Sequence, residues 1–422
     1  MKFGHTFQEA LAADSYPQHW VEKAVPYRQL KKILGKVREE LIKNGYSPDT
    51  LQRLLQEHKA EYRLETDSSH LLRPKLVVRP GARSLPPPPT ASELPPDGAV
   101  VPPAPALDGD SGSPGGDEWV KIPLDSDARF FSILQTDVEE LDTLQHKERQ
   151  LMNNQIHVLG TEIAGVARPR KGMVRLSKSD LYRWREIFEL YLAAEVFFST
   201  TEADGGLRKS DAARKQLVWF QEEVNKRQLP QQFKIQSSAV AYNQFLELNA
   251  TLLQNLRFQE LNQTAVTKII KKFDKRTALG VKSTFPKLMY SAQIISGSIS
   301  RDICAQLARE VVNLVPQVVD FSCTICLSIC WLPIRLACSH LFCIRCMIKM
   351  QNQNRRFCPL CRAEVVQKAD ESNIDEALVR YLETWFPKET KEKQQFNELE
   401  RRRDLFGDVY VNDHPPPTCN VM

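Results

Sequence analysis

Apolar residues recur at three- and four-residue steps over most of the first 280 positions, a single proline-rich stretch interrupts them, and eight potential metal ligands, seven Cys and one His, fall in paired spacings between Cys323 and Cys361. Together these predict a mainly α chain, an N-terminal helical bundle followed by a small metal-built module. Residues 1–62 are expected as helical pieces: Trp20, Val21, Ala24, Tyr27, Leu30, Lys31 and Leu34 form one mixed face, Gly45 and Pro48 interrupt it, and Leu51, Leu54 and Leu55 resume it. Between Pro80 and Asp117, 11 of 38 residues are proline, which predicts an extended, disordered insertion. A linker is the expected role of such composition, with a Pro-x-x-Pro ligand as the alternative.

Order is expected again from Trp119. Leu134, Val138, Leu141 and Leu144 mark a helix face that continues through Leu151 and Ile156 toward Gly160. Leu181–Phe198, Leu217–Val224 and Phe233–Leu256 supply further helices, with Trp184, Ile187, Phe188 and Tyr191 as core, since stripes of this kind are packing rather than cofactor sites. Ile294–Val315 reads as a connecting helical region that Pro316 stops, and Asn373–Phe386 as a short helix; residues 388–404 are charge-rich and expected exposed, ahead of a proline-containing tail.

At 422 residues the chain has room for two or three domains, and its formal charge of +5 is too modest to imply a nucleic-acid partner by itself. Of ten cysteines, Cys304, Cys330 and Cys419 lie outside the metal array and show no disulfide-framework spacing, so a reducing intracellular compartment, cytoplasmic or nuclear, is expected. No secretory signal is read. The most apolar piece, Ile187–Phe198, is broken by Glu189 and Glu195 and falls short of the roughly 20 residues that span a bilayer, which leaves peripheral membrane contact open.

One helix is informative beyond packing. Lys268, Lys271, Lys272 and Lys275 fall at i, i+3, i+4 and i+7, while Val266, Ile269, Ile270 and Phe273 take the opposite face. Like charges this close cost roughly 0.2–0.5 kcal/mol per pair in an isolated helix, which a bound polyanion would relieve. A solvated basic face screened by water is the alternative reading.

The ligand order is Cys-x2-Cys, eleven residues, Cys-x-His-x2-Cys-x2-Cys, eleven residues, Cys-x2-Cys: Cys323, Cys326, Cys338, His340, Cys343, Cys346, Cys358 and Cys361. Thiolates mixed with one imidazole suit zinc, and paired spacings let a tight turn present two ligands to one ion. A 39-residue segment is too short to hold itself together by hydrophobic burial alone, so metal binding should supply folding energy, on the order of 10 kcal/mol per structural zinc.

With Ile325 between the first two ligands and Pro359 after the seventh, this array resembles the RING finger family of ubiquitin ligases. The resemblance implies a cross-braced fold holding two structural Zn2+, one on Cys323, Cys326, Cys343 and Cys346, the other on Cys338, His340, Cys358 and Cys361. It also implies an apolar face for a ubiquitin-conjugating enzyme at Ile325 and Pro359, extended by Leu327 and Leu360. Met350 occupies the position at which the family often carries tryptophan. Arg362 matches the catalytic cation that bridges the conjugating enzyme and its loaded ubiquitin, an orientation effect rather than covalent catalysis.

Lys2-Phe3-Gly4, Trp20–Lys32 and Leu261–Lys275 are similar to the beginning and end of an SPX domain. The family binds inositol polyphosphates and pyrophosphates and reports cellular phosphate status, which implies ligand contacts at Tyr27, Lys31 and Lys272, an adjoining basic face of Lys268, Lys271 and Lys275, and Lys2 closing it. Several flexible cations with a phenolic donor suit a compact ligand with many phosphate oxygens. Ala265-Val266 replaces the family's usual Gly-Phe.

The expected organisation is therefore an SPX-like helical domain over 1–280 with an insertion at about 80–117, a helical connector over 281–322, a RING finger over 323–362, a helix over 373–386 and an exposed tail over 388–422. The expected activity is ubiquitin transfer from a conjugating enzyme's thioester to substrate lysines, regulated by an inositol phosphate in phosphate homeostasis, with a phosphate transporter or phosphate-regulatory protein as substrate. Two alternatives remain: an inactive, ligand-dependent scaffold, suggested by Met350, and a chromatin or nucleic-acid binder, disfavoured because no base-reading element accompanies the lysines.

Overall fold

The computed structural model describes residues 3–13, 15–67, 71–79, 119–167, 180–199, 206–285 and 298–413. Lys2, Cys419 and the whole proline-rich stretch from Pro80 to Asp117 lie outside the described residues. Two compact units are present, and neither is a single stretch of chain. The first comprises Met1–Met152, Lys209–Asp211 and Ala250–Cys304; the second comprises Asn153–Arg208, Ala212–Asn249 and Ala305–Met422. The long helices α5 (Asp125–Ala167) and α8 (Gln236–Thr277) contribute residues to both.

In the first unit α1 (Phe3–Ala13), α2 (Gln18–Glu22), α3 (Tyr27–Lys43) and α4 (Pro48–Gln56) follow one another. α3 buries Tyr27, Leu30, Ile33, Leu34, Val37 and Leu41 along one stripe, as its spacing predicts. α4 begins at Ser47, whose side chain accepts from Thr50 N at 3.1 Å, with Pro48 at the first helical position, where its missing N–H costs nothing. Trp20 stacks obliquely on Phe258 of α8, and Asn262 of α8 accepts from Val25 N at 2.9 Å, which fixes the entry to α3.

Helical spacing did not predict the sheet that follows. β1 (Ala60–Thr66), β2 (Leu72–Val78) and β3 (Val120–Ile122) form an antiparallel sheet in that order. β1 alternates Ala60, Tyr62 and Leu64 with Glu61, Arg63 and Glu65, a period of two. Val78 pairs with Val120, so the two ends of the proline-rich insertion emerge from adjacent strands. Loop-closure cost grows only with the logarithm of length, about 0.6 kcal/mol per doubling, so a long insertion is tolerated at such a hairpin position.

The second unit contains α6 (Leu181–Ala194), α7 (Ser210–Lys226), with its first two residues in the other unit, and parts of α5, α8 and α9 (Ser298–Glu310). Trp184, Phe188, Tyr191, Phe220 and Phe245 form its aromatic core, and Tyr191 donates to Asn249 Oδ1 at 2.6 Å. Arg185 is buried. Its guanidinium donates to Pro316 O at 3.0 Å, Trp385 O at 2.5 Å and Glu389 Oε1 at 3.1 Å, and its Cζ lies 4.2 Å from the Phe386 ring centroid. The metal module follows, with β4 (Pro333–Arg335), β5 (Leu341–Cys343) and α10 (Ile344–Asn352), then α11 (Glu376–Trp385) and α12 (Pro387–Asp413).

α12 corrects one expectation. The charged stretch from residue 388, read as an exposed tail, is helical through Asp413 and buries Thr390, Lys393 and Asn397. These polar residues sit at i, i+3 and i+7, so the buried face is invisible to a search for apolar periodicity.

Buried charge in the first unit has a measurable consequence. Asp127, in the first turn of α5, accepts from the Tyr62 hydroxyl at 3.1 Å. Burial pushes its carboxyl up from 3.8 to about 7, against the Tyr62 hydrogen bond, which lowers it, and with Glu40 and Asp125 adding to the rise. The folded chain therefore keeps a proton between about pH 4 and pH 7 that the unfolded chain has released, so this group makes stability fall as pH rises through that window. Asp127→Asn should raise the melting temperature at pH 8 more than at pH 5, and an equal shift at both, read by thermal melts, would refute the assignment.

Candidate functional site

Two zinc knuckles frame the metal module, and they are built alike. In the first, Leu327 N donates to Cys323 O at 2.8 Å and Cys323 N to Ser328 O at 2.8 Å; in the second, Arg362 N donates to Cys358 O at 2.9 Å and Cys358 N to Ala363 O at 2.8 Å. Each turn closes on a left-handed residue, Leu327 at φ 56° and Arg362 at φ 61°. A side chain in that region costs roughly 1–2 kcal/mol, tolerated here because the ligands on either side fix the turn. Between the knuckles, β4 and β5 pair Ile334 with Phe342, and their connecting turn carries Cys338 and His340.

The fold gathers the eight ligands as two groups: Cys323, Cys326, Cys343 and Cys346, and Cys338, His340, Cys358 and Cys361, the ligand atoms within each lying inside 4.8 Å of one another. Tetrahedral zinc with Zn–S of about 2.3 Å requires ligand sulfurs about 3.8 Å apart. Cys326 Sγ and Cys343 Sγ are 3.8 Å apart. In the second group His340 Nδ1 lies 3.4 Å from Cys338 Sγ and 3.6 Å from Cys358 Sγ, close to the edge of about 3.6 Å for mixed N and S ligands. Both groups therefore fit structural zinc. Four protein ligands fill each tetrahedron and leave no position for an activated water, which disfavours hydrolytic chemistry.

Each group joins a knuckle to the middle of the module, so the interleaved pairing that the family resemblance implied is the one the fold adopts. Cys330 is not among these ligands; it lies buried in the module's cluster, beside Cys323. Cys304 is buried elsewhere, and burial pushes its thiol up to about 12, so it stays protonated and unreactive.

Lys393 of α12 was not anticipated as part of this site. It is 7 % exposed, and its Nζ lies 3.5 Å from Cys326 Sγ and 3.3 Å from Ser328 Oγ. Zn2+ with four thiolates carries a net charge of about −2, and an ammonium beside one thiolate offsets part of it. α12 is held at two further points on α10, by Lys349 to Glu400 at 3.1 Å and by Arg345 to Asp404.

The predicted docking residues divide. Ile325 is 42 % and Leu327 81 % exposed, and Pro359, Leu360 and Arg362 are exposed on the second knuckle. Met350 is only 4 % exposed and belongs to the module's own cluster with Ile334, Phe342, Met347 and Val366. Its expected place on a docking surface is corrected: a flexible thioether fills this small core instead.

The basic face lies in the first unit. Lys268, Lys271 and Lys275 are exposed, and Lys31 and Lys272 are half-buried. Lys268 Nζ sits 4.3 Å from the Phe3 ring centroid, and Phe3 meets Tyr27 edge-on at 4.9 Å. A Cβ on Gly4 would come within 3.2 Å of the Tyr27 ring, so glycine permits α1 to lie this close. Burial pushes the Tyr27 phenol above its ordinary value, with Arg276 opposing, so the hydroxyl stays neutral and able to donate. Asp274, among the lysines, is occupied in accepting from Val281 N at 2.6 Å and Lys282 N at 2.8 Å, which ends the helix. The Phe3 ring as a platform for Lys268 was not read from the sequence.

Comparison with known proteins matches both regions of the chain to families. The SPX domain family matches residues 1–289 and the C3HC4-type zinc finger (RING finger) family residues 323–361. An uncharacterized RING finger protein of Schizosaccharomyces pombe is 33 % identical, with 94 % of this chain and 96 % of that protein aligned. The transcriptional regulator of yeast form adherence 3 of Candida albicans is 31 % identical over the whole of both chains. A breast cancer type 1 susceptibility protein homolog of Mus musculus is 32 % identical over 89 residues, covering 19 % of this chain and 5 % of its own. No solved structure matches. The chain belongs to the SPX domain family, and to those of its members that also carry a RING finger.

Proposed function

We propose that this chain is a RING-type ubiquitin ligase controlled by an inositol polyphosphate or pyrophosphate. The observation that carries the first half is the pair of closed metal groups, whose knuckles hold apolar Ile325, Leu327, Pro359 and Leu360 outside the module beside one cation, Arg362. A thioester-loaded conjugating enzyme would dock on the apolar residues, while Arg362 donates hydrogen bonds that hold the attached ubiquitin in a reactive pose. The substrate amine then attacks the thioester carbonyl, the C–N bond forms as the C–S bond breaks, the cysteine thiolate leaves, and the amine loses a proton. The zinc ions shape the docking face and take no part in the transfer.

The second half rests on Lys268, Lys271 and Lys275 standing exposed on one helix face with Lys31, Lys272 and neutral Tyr27 nearby in the same unit. Adjacent ammonium groups repel, and a multiply phosphorylated ring replaces repulsion with charge-assisted hydrogen bonds. α8 carries these lysines in the first unit, and its residues 236–249 pack in the second, which also contains the metal module. A ligand's effect on ubiquitin transfer would thus have a continuous helix to act through. The burial of Met350 favours a second reading, a non-catalytic phosphate-sensing scaffold.

Discharge of a loaded conjugating enzyme onto free lysine separates the two. Ile325→Ala and Arg362→Gly should each slow discharge by about tenfold or more while zinc stays at two per chain. Glycine is the informative change at Arg362, because it removes the cation and relieves the left-handed backbone at once. A parent chain that speeds no discharge would leave the scaffold reading standing, and discharge unchanged in both variants would point to a mechanism that does not use this face. For the ligand, calorimetric titration with inositol hexakisphosphate should give binding at least tenfold tighter than inorganic phosphate, weakened by Lys268→Ala with Lys271→Ala and by added salt. Equal affinity for the two anions would end the sensor reading.

A further inference from the structure

We propose that Phe396 of α12 completes the surface on which the loaded conjugating enzyme docks, taking the part that buried Met350 does not fill. This rests on the ligase reading above and extends the docking face beyond the RING finger itself. α10 offers no apolar side chain at Met350, which is buried in the module's core. The exposed apolar residues of the first knuckle, Ile325 and Leu327, are aliphatic, and no aromatic lies between Cys323 and Ser328.

α12 supplies one. Lys393 is inserted against the residues between and just beyond these two, its Nζ 3.5 Å from Cys326 Sγ and 3.3 Å from Ser328 Oγ. The same ammonium lies 5.0 Å from the centroid of the Phe396 ring. One buried cation thus fixes an aromatic ring beside the first knuckle. Phe396 is nevertheless 51 % exposed, on a helix that is otherwise charged and polar from Lys388 to Gln395. An aromatic held in place and exposed can be covered by a partner with little further ordering cost, and aromatics of this kind dominate binding at interface centres. The ion pairs from Lys349 to Glu400 and from Arg345 to Asp404 hold the rest of α12 along α10, so the ring is not carried by a swinging tail. Continuity with Ile325 and Leu327 identifies the occupant as the same conjugating enzyme that those residues face.

The test uses the full chain with both zinc ions. Phe396→Ala keeps the helix, since alanine is the better helix former and the ring is not part of the core. It should weaken binding of the conjugating enzyme by about tenfold and slow discharge to match, the scale expected for an aromatic hot spot. Phe396→Trp should restore both. Lys393→Met, which releases the ring from the knuckle, should lower affinity in the same direction with α12 still helical by circular dichroism. If Phe396→Ala binds and discharges like the parent while Ile325→Ala does not, the composite surface is refuted and the ligase reading survives. If the parent chain itself discharges no conjugating enzyme, both fall. If Phe396→Ala changes only the mass in light scattering, from a dimer to a monomer, the ring serves contact with a second copy and the inference is overturned.

Discussion

Metal–thiolate bonding is the constraint from which the second unit is built outward. The module's buried cluster is small, and four of its members, Cys323, Cys343, Cys346 and Cys358, are themselves ligands. Without the ions, eight polar groups would converge with nothing to hold them together, and the apolar residues between them are too few to compensate for the entropy of ordering the loops. With them, both knuckles, the β4–β5 turn and the start of α10 are fixed at once, because each ion joins segments distant in sequence. The pattern of four ligands per ion therefore acts as the module's tertiary structure.

The order imposed by the metal spreads through polar contacts as much as apolar ones. Ile329, Leu382 and Phe386 form a second buried cluster beside the module, with Phe321 packed on it, and Phe386 in turn stacks against the Arg185 guanidinium. Arg185 satisfies three acceptors from α11, α12 and the segment before the first knuckle. Burial makes such a group expensive, and it is sustained only because each donated bond replaces water; a missing partner would cost several kcal/mol. A helix inside the SPX match is thereby joined to the flank of the RING finger within one compact unit.

What could be read in advance depended on whether the chemistry repeats along the chain. The metal ligands were legible because Cys-x2-Cys spacing reflects one turn geometry, and the lysines of α8 because i, i+3, i+4 and i+7 place them on one face opposite Ile269, Ile270 and Phe273. β1 carried a readable period of two, but its glutamates and arginine made it resemble the exposed side of a helix. α12 had no apolar stripe, since Thr390, Lys393 and Asn397 are what it buries. Lys393 could not be assigned to zinc from sequence, because its partner, Cys326, lies 67 residues away and nothing local marks the contact.

The two knuckles show where evolution of function has room. Leu327 and Arg362 occupy the same place in the same turn, with nearly equal φ, yet one is apolar and the other cationic. The turn is dictated by the flanking thiolates and by two backbone hydrogen bonds, neither of which involves those side chains. Changing a ligand removes a bond on which several segments depend, whereas changing an outward residue leaves the metal geometry and alters only what the surface offers. The same separation applies to α8, whose Ile269, Ile270 and Phe273 are buried while Lys268, Lys271 and Lys275 face solvent. In both places a rigid buried set holds a replaceable exposed set, and recognition of ubiquitin or of phosphate would be written in the second without endangering the first.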